Sequence, residues 1–330
     1  MTERTIRLGD VQYIGNRPYR TGFLRAQFWP VERHDEAAMK RVARRENILV
    51  WGPPLYHYTS LSGFKGIIES RGFWASDSRF LNDAHEMRHG AELAAEVLSQ
   101  IVRRSRVPAF RPIAKAVRDN ILRPPKVGHL IACFSTLRDS LEQWRGYGGS
   151  GGVCIGVGVN HQKQRAPMFY GSSMLPHRVF YSARAKQALV LSLLRRFEIE
   201  YRTDMEAMRG HWPDDHDQHY VERLTSTLSG AIVGFKNLAF GHEAEVRVVL
   251  SHAEADDFGG LKFRPSPLGL VPYLCTGDRL ENAVSIENVM VGPSPHQELI
   301  ASSVRTFLDH HGYTDIPVDL STIPYRGPGF

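Results

Sequence analysis

The chain has 330 residues, 42% of them apolar, and carries 41 Lys+Arg against 35 Asp+Glu for a formal net charge of +6. A chain of this length and composition can bury roughly three quarters of its surface, which excludes a disordered, collagen-like or small disulfide-stapled protein. The charge is uneven, because residues 1–50 hold ten cations and six acids whereas residues 101–126 hold eight cations and one acid. Such basic blocks indicate acidic partners more directly than the net charge does.

The N-terminus and the cysteines favour a location inside the cell. The first residues lack the apolar stretch of a signal peptide, and no segment approaches the ~18 consecutive apolar residues of a membrane helix. Cys133, Cys154 and Cys275 all lie in apolar segments, and none forms a CxxC pair. Reduced, buried thiols show this pattern. We therefore expect a cytoplasmic protein without membrane association.

Hydrophobic periodicity and turn residues predict strands and helices along most of the chain. The expected strands cover 55–58, 73–76, 129–135, 153–159, 179–182, 245–250, 270–274 and 288–291. The expected helices cover 35–46, a segment that follows Ser60 and ends at 69, 84–104, 107–122, 185–208, 221–237 and 295–310. Ser140 followed by Gln143 predicts a capping box that opens a further short helix.

The order of these elements favours an α+β fold. Strands and helices are interleaved without a strict βαβ rhythm, so we expect a mixed or antiparallel sheet with surrounding helices instead of a doubly wound parallel sheet. Residues 1–50, rich in Arg and aromatic side chains, are expected to form an N-terminal arm, and 51–330 a single domain.

Two short motifs are weak indications of function. His85, Glu86 and His89 match H-E-x-x-H, a zinc motif, but Arg88 lies between them and no third ligand follows, so no metal is expected. The glycines of 146–152 lack the Gly-Lys-Ser/Thr of a phosphate loop and lead into a strand, which favours a hairpin turn.

A third motif is more informative. His57 and Thr59 end a strand, and the helix that follows carries a Gly-Phe-x-x-Ile-Ile-x-x-x-Gly pattern over 63–72. Further along the chain, 132–144 and 240–250 each place polar residues at the end or the start of a strand. A single strand histidine is otherwise most often a packed core residue.

These three segments, in this order, resemble the motifs of ADP-ribosyltransferases of the diphtheria-toxin-like His-Tyr-Glu clade. The resemblance implies a split β-sheet and NAD as a substrate. It also implies that His57 and Thr59 bind the adenosine ribose. Phe134, Ser135 and Trp144 fall in the second motif, and Tyr147 follows it closely. Trp144 or Tyr147 would stack on the nicotinamide.

Across 50–326 the chain also resembles a bacterial family catalogued as domain of unknown function 2971. The residues that carry this resemblance occur as spaced motifs in order. They are Tyr56–Thr59, Phe80–Asp83 with Glu86, Cys133–Ser135, Gln143-Trp144 with Tyr147, Gly152–Gly156, Lys236, Glu243 with Glu245 and Arg247, and Ser321–Arg326.

Glu245 and Glu243 are the candidate catalytic residues. Cleavage of the bond between ribose and nicotinamide passes through a cationic, oxocarbenium-like state, which a nearby carboxylate stabilises. Glu245 lies immediately before a predicted strand, and Glu243 shares its face of an extended chain and would orient the acceptor. The alternative is that both are solvated and that Arg247 is their ion-pair partner.

The basic segments predict a nucleic-acid target. Cations alternate with aromatic rings over 17–29, a pattern that suits phosphates and stacked bases, and the block over 103–126 could extend the path. The candidate contacts are Arg17, Tyr19, Arg20, Arg25, Trp29, Arg103 and Arg104. The alternative is an arm packed on the domain and a solvated helix face.

The sequence thus predicts an NAD-dependent mono-ADP-ribosyltransferase that modifies a macromolecule, for which RNA or DNA is the expected target. It would act as a bacterial toxin or phage-defence effector, with an antitoxin or immunity protein as an expected partner. The competing interpretation is a nucleic-acid-binding module on a transferase-like scaffold without catalytic activity. The acceptor and the oligomeric state stay open.

Overall fold

The computed structural model describes several stretches of the chain. They are 11–14, 17–20, 55–80, 84–123, 128–149, 151–157, 176–208, 214–250, 259–278 and 286–324. Within them, the backbone alone is described for 11–14, 17–20, 84–86 and 176.

The strands of these stretches are β1 (Val11–Ile14), β2 (Arg17–Arg20), β3 (Leu55–Thr59), β4 (Trp74–Asp77), β5 (Leu130–Ser135), β6 (Val153–Val157), β7 (Pro176–Arg178), β8 (Glu245–Leu250), β9 (Lys262–Ser266), β10 (Gly269–Cys275), β11 (Ile286–Val291) and β12 (Val318–Leu320). The helices are α1 (Leu61–Glu69), α2 (Ala84–Arg104), α3 (Phe110–Ile121), α4 (Leu141–Gln143), α5 (Ala183–Met208), α6 (His216–Ile232) and α7 (Gln297–His310). Short helical turns cover Ser78–Phe80, Trp144–Gly148, Leu238–Glu243 and Thr276–Asp278.

The chain divides into two compact units. A helical unit contains Met1–Glu36, Asn82–Lys126 and Phe180–Asn237, and a sheet unit contains Ala37–Leu81, Val127–Val179 and Leu238–Phe330. Residue 50, the expected end of the N-terminal arm, lies outside the described stretches. The division into an arm over 1–50 and a domain over 51–330 therefore stays a prediction.

The sheet unit contains one open sheet. Its strand order is β12-β11-β6-β3-β5-β4-β10-β9, with β8 on the free side of β5 and β7 beyond β8. Among the described strands of this sheet, β11 and β12 are parallel and the other pairs are antiparallel. The predicted α+β fold with a mixed sheet is confirmed.

Strand β5 is shared by three neighbours. β8 pairs with it from Leu130 to Ser135. On its other edge, Ser135 pairs with Tyr56 of β3, whereas Leu130 and Ile131 pair with β4. β3 and β4 therefore diverge along β5, and the sheet is split between them.

Side chains alternate between the two faces of this sheet. One face carries the main core, in which Leu55, Phe134, Val153 and Val246 pack with side chains of α1 and α7. The helix α1 begins where the sequence predicted, because the Ser60 hydroxyl accepts a hydrogen bond from the Gly63 amide at 3.2 Å.

The opposite face carries a smaller cluster around Trp144. Its ring lies 4.7 Å from that of Tyr58 in an edge-on arrangement, and its indole N–H donates to Asp139 Oδ1 at 2.7 Å. The same oxygen accepts from the Ser321 hydroxyl at 2.7 Å. Asp139 therefore joins the segment after β5 to the segment after β12.

The helical unit is built from α2, α3, α5 and α6. Their apolar stripes enclose a separate core, and in this unit β1 and β2 pair as an antiparallel hairpin. The core residues include Leu98, Phe110, Val117, Leu194, Phe197, Tyr220 and Leu228.

Three local predictions are wrong. The strand expected over 179–182 lies earlier, at Pro176–Arg178, and the helix expected over 221–237 begins at His216 and ends at Ile232. The segment of glycines over 146–152 does not connect a hairpin, because Gly146 and Gly148 belong to the helical turn Trp144–Gly148 and β6 pairs with β3 and β11 instead of β5. The sequence analysis also missed β9 and β12, which are short strands at the two edges of the sheet.

A buried polar network crosses the core of the helical unit. Glu200 is paired with Arg223 at 3.2 Å and with Arg196 at 3.7 Å, and the Tyr220 hydroxyl donates to Asp204 at 2.5 Å. Burial, opposed by the two arginines, raises the pKa of Glu200 to about 7.

This raised pKa makes stability depend on pH. In the unfolded chain Glu200 loses its proton near pH 4–5, about its usual pKa, whereas the folded protein retains that proton up to about pH 7. The free energy of unfolding should therefore fall by about 3 kcal/mol as the pH rises through this window. We expect the thermal midpoint of Glu200→Gln to change less with pH between pH 5 and 7 than that of the wild type. The exposed Glu206→Gln is the control and should show the same slope of thermal midpoint against pH as the wild type. An unchanged slope in Glu200→Gln would contradict the assignment.

Candidate functional site

The candidate site is built on the register between β3, β5 and β8. Glu245, the first residue of β8, lies opposite Ser135, and Ser135 lies opposite Tyr56 of β3. The next row on the same face contains Cys133 and Arg247. The end of β5 thus brings the predicted residues Ser135 and Glu245 side by side.

Glu245 forms a two-pronged ion pair with Arg247. The arginine Nε donates to Oε1 at 2.8 Å and its Nη2 donates to Oε2 at 3.1 Å, and both side chains are buried. The alternative from sequence, a solvated pair, is thus half right, because the ion pair exists but is enclosed.

The backbone before β8 is strained. Ala244, between Glu243 and Glu245, has a φ of +45°, in the left-handed region that residues with a Cβ rarely adopt. Strain of this kind persists only where the surroundings enforce it, and it clusters at functional sites. The Glu243–Glu245 segment is therefore held in a specific conformation.

Side chains from the second motif provide that enforcement. The Ser135 hydroxyl donates to the Glu243 carbonyl at 2.7 Å, and the Gln143 side-chain amide donates to the same oxygen at 3.3 Å. The Thr136 amide donates to the Ala244 carbonyl at 3.1 Å. The backbone of the candidate catalytic segment is thus hydrogen-bonded to residues at the end of β5 and in α4.

The predicted capping box is wrong in its hydrogen bonds. Ser140 is the N-cap residue of α4, but its side chain makes no cap hydrogen bond to the helix. Its hydroxyl instead donates to Glu142 at 3.0 Å, while the amide of Gln143 is used by Glu243. Sequence reasoning therefore gave Gln143 a local role and missed its contact with a residue 100 positions away.

His57 lies on the opposite face of the sheet from Glu245. Its ring packs between Phe73 and Phe134, with centroid distances of 5.0 and 5.5 Å. Its Nδ1 lies 2.8 Å from the Cys133 carbonyl, so in the neutral ring Nδ1 carries the proton and Nε2 accepts. Burial lowers the pKa of His57, and the bond to Cys133 opposes that effect only in part.

The other predicted NAD contacts differ in how accessible their side chains are. Thr59 follows His57 on the same face, and its hydroxyl lies against Gly63 at the start of α1. Trp144 is 1% exposed and its N–H is taken by Asp139, so its ring is a packing element in this conformation. Tyr147 is 46% exposed and has a ring surface that a ligand can reach.

The structure therefore divides the predicted set. It brings together Ser135, Glu243 and Glu245 on or beside one face, and His57, Thr59 and Phe134 on the other. A hydrogen bond from His57 to the Cys133 carbonyl links the two groups at the split. Cys133 lies on β5 between Ser135, which pairs with β3, and Leu130–Ile131, which pair with β4.

His177 is a neighbour that the sequence analysis missed. It lies opposite Arg247 in the pairing of β7 with β8, and burial lowers its pKa to about 4. It is therefore a neutral side chain next to the buried ion pair. No sequence signal marked it, because residue 177 lies before the strand that we had predicted over 179–182.

The predicted nucleic-acid contacts are only partly within the described stretches. Arg103 and Arg104 are exposed at the end of α2, with Arg106 exposed just beyond. Arg17, Tyr19 and Arg20 lie in β2, whose side chains are not described, and Arg25 and Trp29 lie outside the described stretches.

Metal and membrane features were searched for in the same stretches. Their His, Cys, Asp and Glu residues include no group of three placed to hold a metal ion. His85 and Glu86 of the H-E-x-x-H match belong to the part of α2 whose side chains are not described. None of the described helices combines the length and apolarity that crossing a bilayer needs.

The buried ion pair makes a stability prediction. Replacing Arg247 by Met leaves the Glu245 carboxylate buried without its guanidinium, which should cost about 3–5 kcal/mol of unfolding free energy. Glu245→Gln combined with Arg247→Met should recover part of this loss. Denaturant unfolding of the wild type, the two single variants Glu245→Gln and Arg247→Met, and the double variant measures the coupling. A coupling energy near zero would show that the two side chains do not interact in solution.

Comparison with known proteins finds a similarity over part of the chain. No curated protein and no solved structure matches the chain. Residues 143–248 match a family described as "Protein of unknown function (DUF2971)". This match runs from Gln143 into β8 and includes Glu243 and Glu245, so the resemblance noted over 50–326 is supported for this part of the chain. The segment that carries the candidate carboxylates is thus similar to a family whose function is unknown.

Proposed function

We propose that the protein is an NAD-dependent mono-ADP-ribosyltransferase. The observation that carries the proposal is the Glu243–Glu245 segment, in which a strained Ala244 separates two glutamates, Ser135 bonds the Glu243 carbonyl, and Glu245 lies opposite Ser135. The order of the three sequence segments that resemble transferase motifs supports it further.

In this proposal Glu245 acts on the ribose of NAD. Its carboxylate accepts a hydrogen bond from a ribose hydroxyl and stabilises the positive charge that develops on the sugar as the bond to nicotinamide breaks. The bonding electron pair leaves with the nicotinamide nitrogen, which becomes neutral. Arg247 fixes the orientation of Glu245, because it holds both carboxylate oxygens.

Glu243 acts on the acceptor. It is half-buried, in contrast to the buried Glu245 two residues later. As the acceptor attacks the anomeric carbon of the ribose, its proton passes to the Glu243 carboxylate. The division of labour between a buried and an accessible carboxylate suits a reaction with a bound donor and an incoming macromolecule.

The split in the sheet is where we propose that NAD binds. A ligand at the divergence of β3 and β4 would contact His57 and Thr59 from one face and Ser135 and Glu245 from the other. The neutral Nε2 of His57 is an acceptor for a ribose hydroxyl. Tyr147, with its exposed ring, is a better candidate than Trp144 for stacking on the nicotinamide.

The proposed acceptor is RNA or DNA, as part of a toxin or phage-defence activity. Arg103, Arg104 and Arg106 expose three cations within four residues at the end of α2, and phosphates are the anions that such a group attracts. The same observation favours the competing candidate, a nucleic-acid-binding module without NAD chemistry.

The catalytic proposal is tested by release of nicotinamide from labelled NAD in the presence of RNA, DNA and protein pools. We expect release by the wild type and a loss of at least about 100-fold in Glu245→Gln, because an interaction specific to the transition state is removed. Glu243→Gln should reduce transfer to the acceptor more than it reduces release of nicotinamide. The exposed Glu298→Gln is the matched control and should behave as the wild type. Absence of release by the wild type with every pool would refute the proposal.

The nucleic-acid interaction has its own prediction. Arg103→Gln with Arg104→Gln should weaken binding to RNA or DNA and lower the slope of log affinity against log salt by about 2, because two phosphate contacts are lost. The control removes the same charge at Lys65 and Arg202, which are already paired with Glu69 and Glu206. Equal slopes in the two double variants would contradict a role for the end of α2.

A further inference from the structure

We propose that Ala244 and Gln143 are positioning residues, which set the placement of Glu243 and Glu245 without contacting substrate. The inference rests on the proposed function, since it states how those carboxylates are held for the reaction. The observation behind it is one strained residue between two hydrogen-bonded carbonyls. The Glu243 carbonyl accepts from Ser135 and from Gln143 of α4, and the Ala244 carbonyl accepts from the Thr136 amide.

The strain at Ala244 has a structural consequence. An extended residue at this position would place Glu243 and Glu245 on one face in a straight strand, as the sequence analysis expected. With a φ of +45° the chain instead turns sharply, so that the strand begins at Glu245 and Glu243 ends the helical turn Leu238–Glu243. The two carboxylates therefore belong to different elements, and the angle between them depends on Ala244.

Hydrogen bonds maintain this turn from both sides. The Ser135 hydroxyl accepts from the Leu137 amide at 3.1 Å, so its own proton is directed to the Glu243 carbonyl. On the far side of Ala244, the Val179 amide donates to the Glu245 carbonyl at 3.2 Å. The turn is thus over-determined, which is the condition for a strained residue to persist.

Among the residues that bond this turn, Gln143 is the one whose side chain makes no capping contact with its own helix. Its side chain is buried, and it does not cap α4, although the sequence pattern is that of a capping residue. Its amide N–H instead reaches the Glu243 carbonyl. A buried amide that serves the backbone of a candidate catalytic residue is expected to affect the geometry of that residue.

The two carboxylates depend on this support unequally. Arg247 fixes Glu245 through its side chain, whereas Ser135 and Gln143 bond the carbonyl of Glu243 itself. Loss of the turn or of Gln143 should therefore displace Glu243 more than Glu245. The step that Glu243 serves, attack by the acceptor, should be the more sensitive one.

Two substitutions at Ala244 separate its effect on stability from its effect on the placement of the carboxylates. Ala244→Gly removes the penalty for a left-handed φ but lets the turn relax, whereas Ala244→Asn keeps a residue type that tolerates this conformation. We expect Ala244→Gly to keep or raise the thermal midpoint while kcat for transfer falls by about tenfold or more, with KM for NAD within about twofold. Ala244→Asn should retain kcat within about threefold. A merely structural role predicts that stability and activity change together.

Gln143→Met provides a second measurement, because Met fills a similar volume without the donor. We expect kcat for transfer to fall by about tenfold or more and nicotinamide release by less, with KM for NAD again nearly unchanged. If the wild type is active and both Ala244→Gly and Gln143→Met match it, the positioning inference is wrong and the proposed function stands. If the wild type releases no nicotinamide, the proposed function is refuted and the inference falls with it.

Discussion

The sheet unit depends on one constraint, namely that strand β5 has three neighbours on two edges. β8 occupies one edge along the whole strand, so β3 and β4 must share the other and diverge. At this divergence His57 Nδ1 donates to the Cys133 carbonyl, and at the end of β5 Ser135 pairs with Glu245. The placement of His57 and the placement of Ser135 beside Glu245 both follow from how β5 is paired.

The same arrangement explains how a buried charge is tolerated. Glu245 lies at the start of a core strand, where an isolated carboxylate would be costly, and Arg247 on the same face compensates for it with two hydrogen bonds. Strain at Ala244 and burial at Glu245 are both unfavourable taken alone. They persist because residues at the end of β5 and in α4 donate hydrogen bonds to the Glu243 and Ala244 carbonyls, and Arg247 donates to the Glu245 carboxylate.

Much of this fold could be predicted from sequence because its signals are local. The β8 segment alternates over its predicted length, α2 shows helical spacing, and Ser60 caps α1 as expected. Short edge strands such as β12 lack enough residues to show a period, and β7 is defined by its partner β8. Within the site, sequence could identify Glu243 and Glu245 but assumed an extended chain between them, because a left-handed alanine has no sequence signature.

The most important features of the site are therefore long-range. Gln143 reaches Glu243 across 100 residues of sequence, and His57 reaches Cys133 across 76. Neither contact has a period or a motif, and each depends on which strands lie beside β5. For Trp144 the sequence suggested stacking on a ligand, whereas in the structure the ring is buried and packs against Tyr58.

The central claim is that NAD binds where β3 and β4 diverge along β5 and contacts the segment that contains Ala244. Amide hydrogen exchange with and without a non-hydrolysable carba analogue of NAD tests this most directly. The account predicts that protection increases at 133–136 and 241–245, and that α3 and α5 of the helical unit exchange as before. Saturating analogue without added protection at these two segments, or with protection confined to the helical unit, would contradict it.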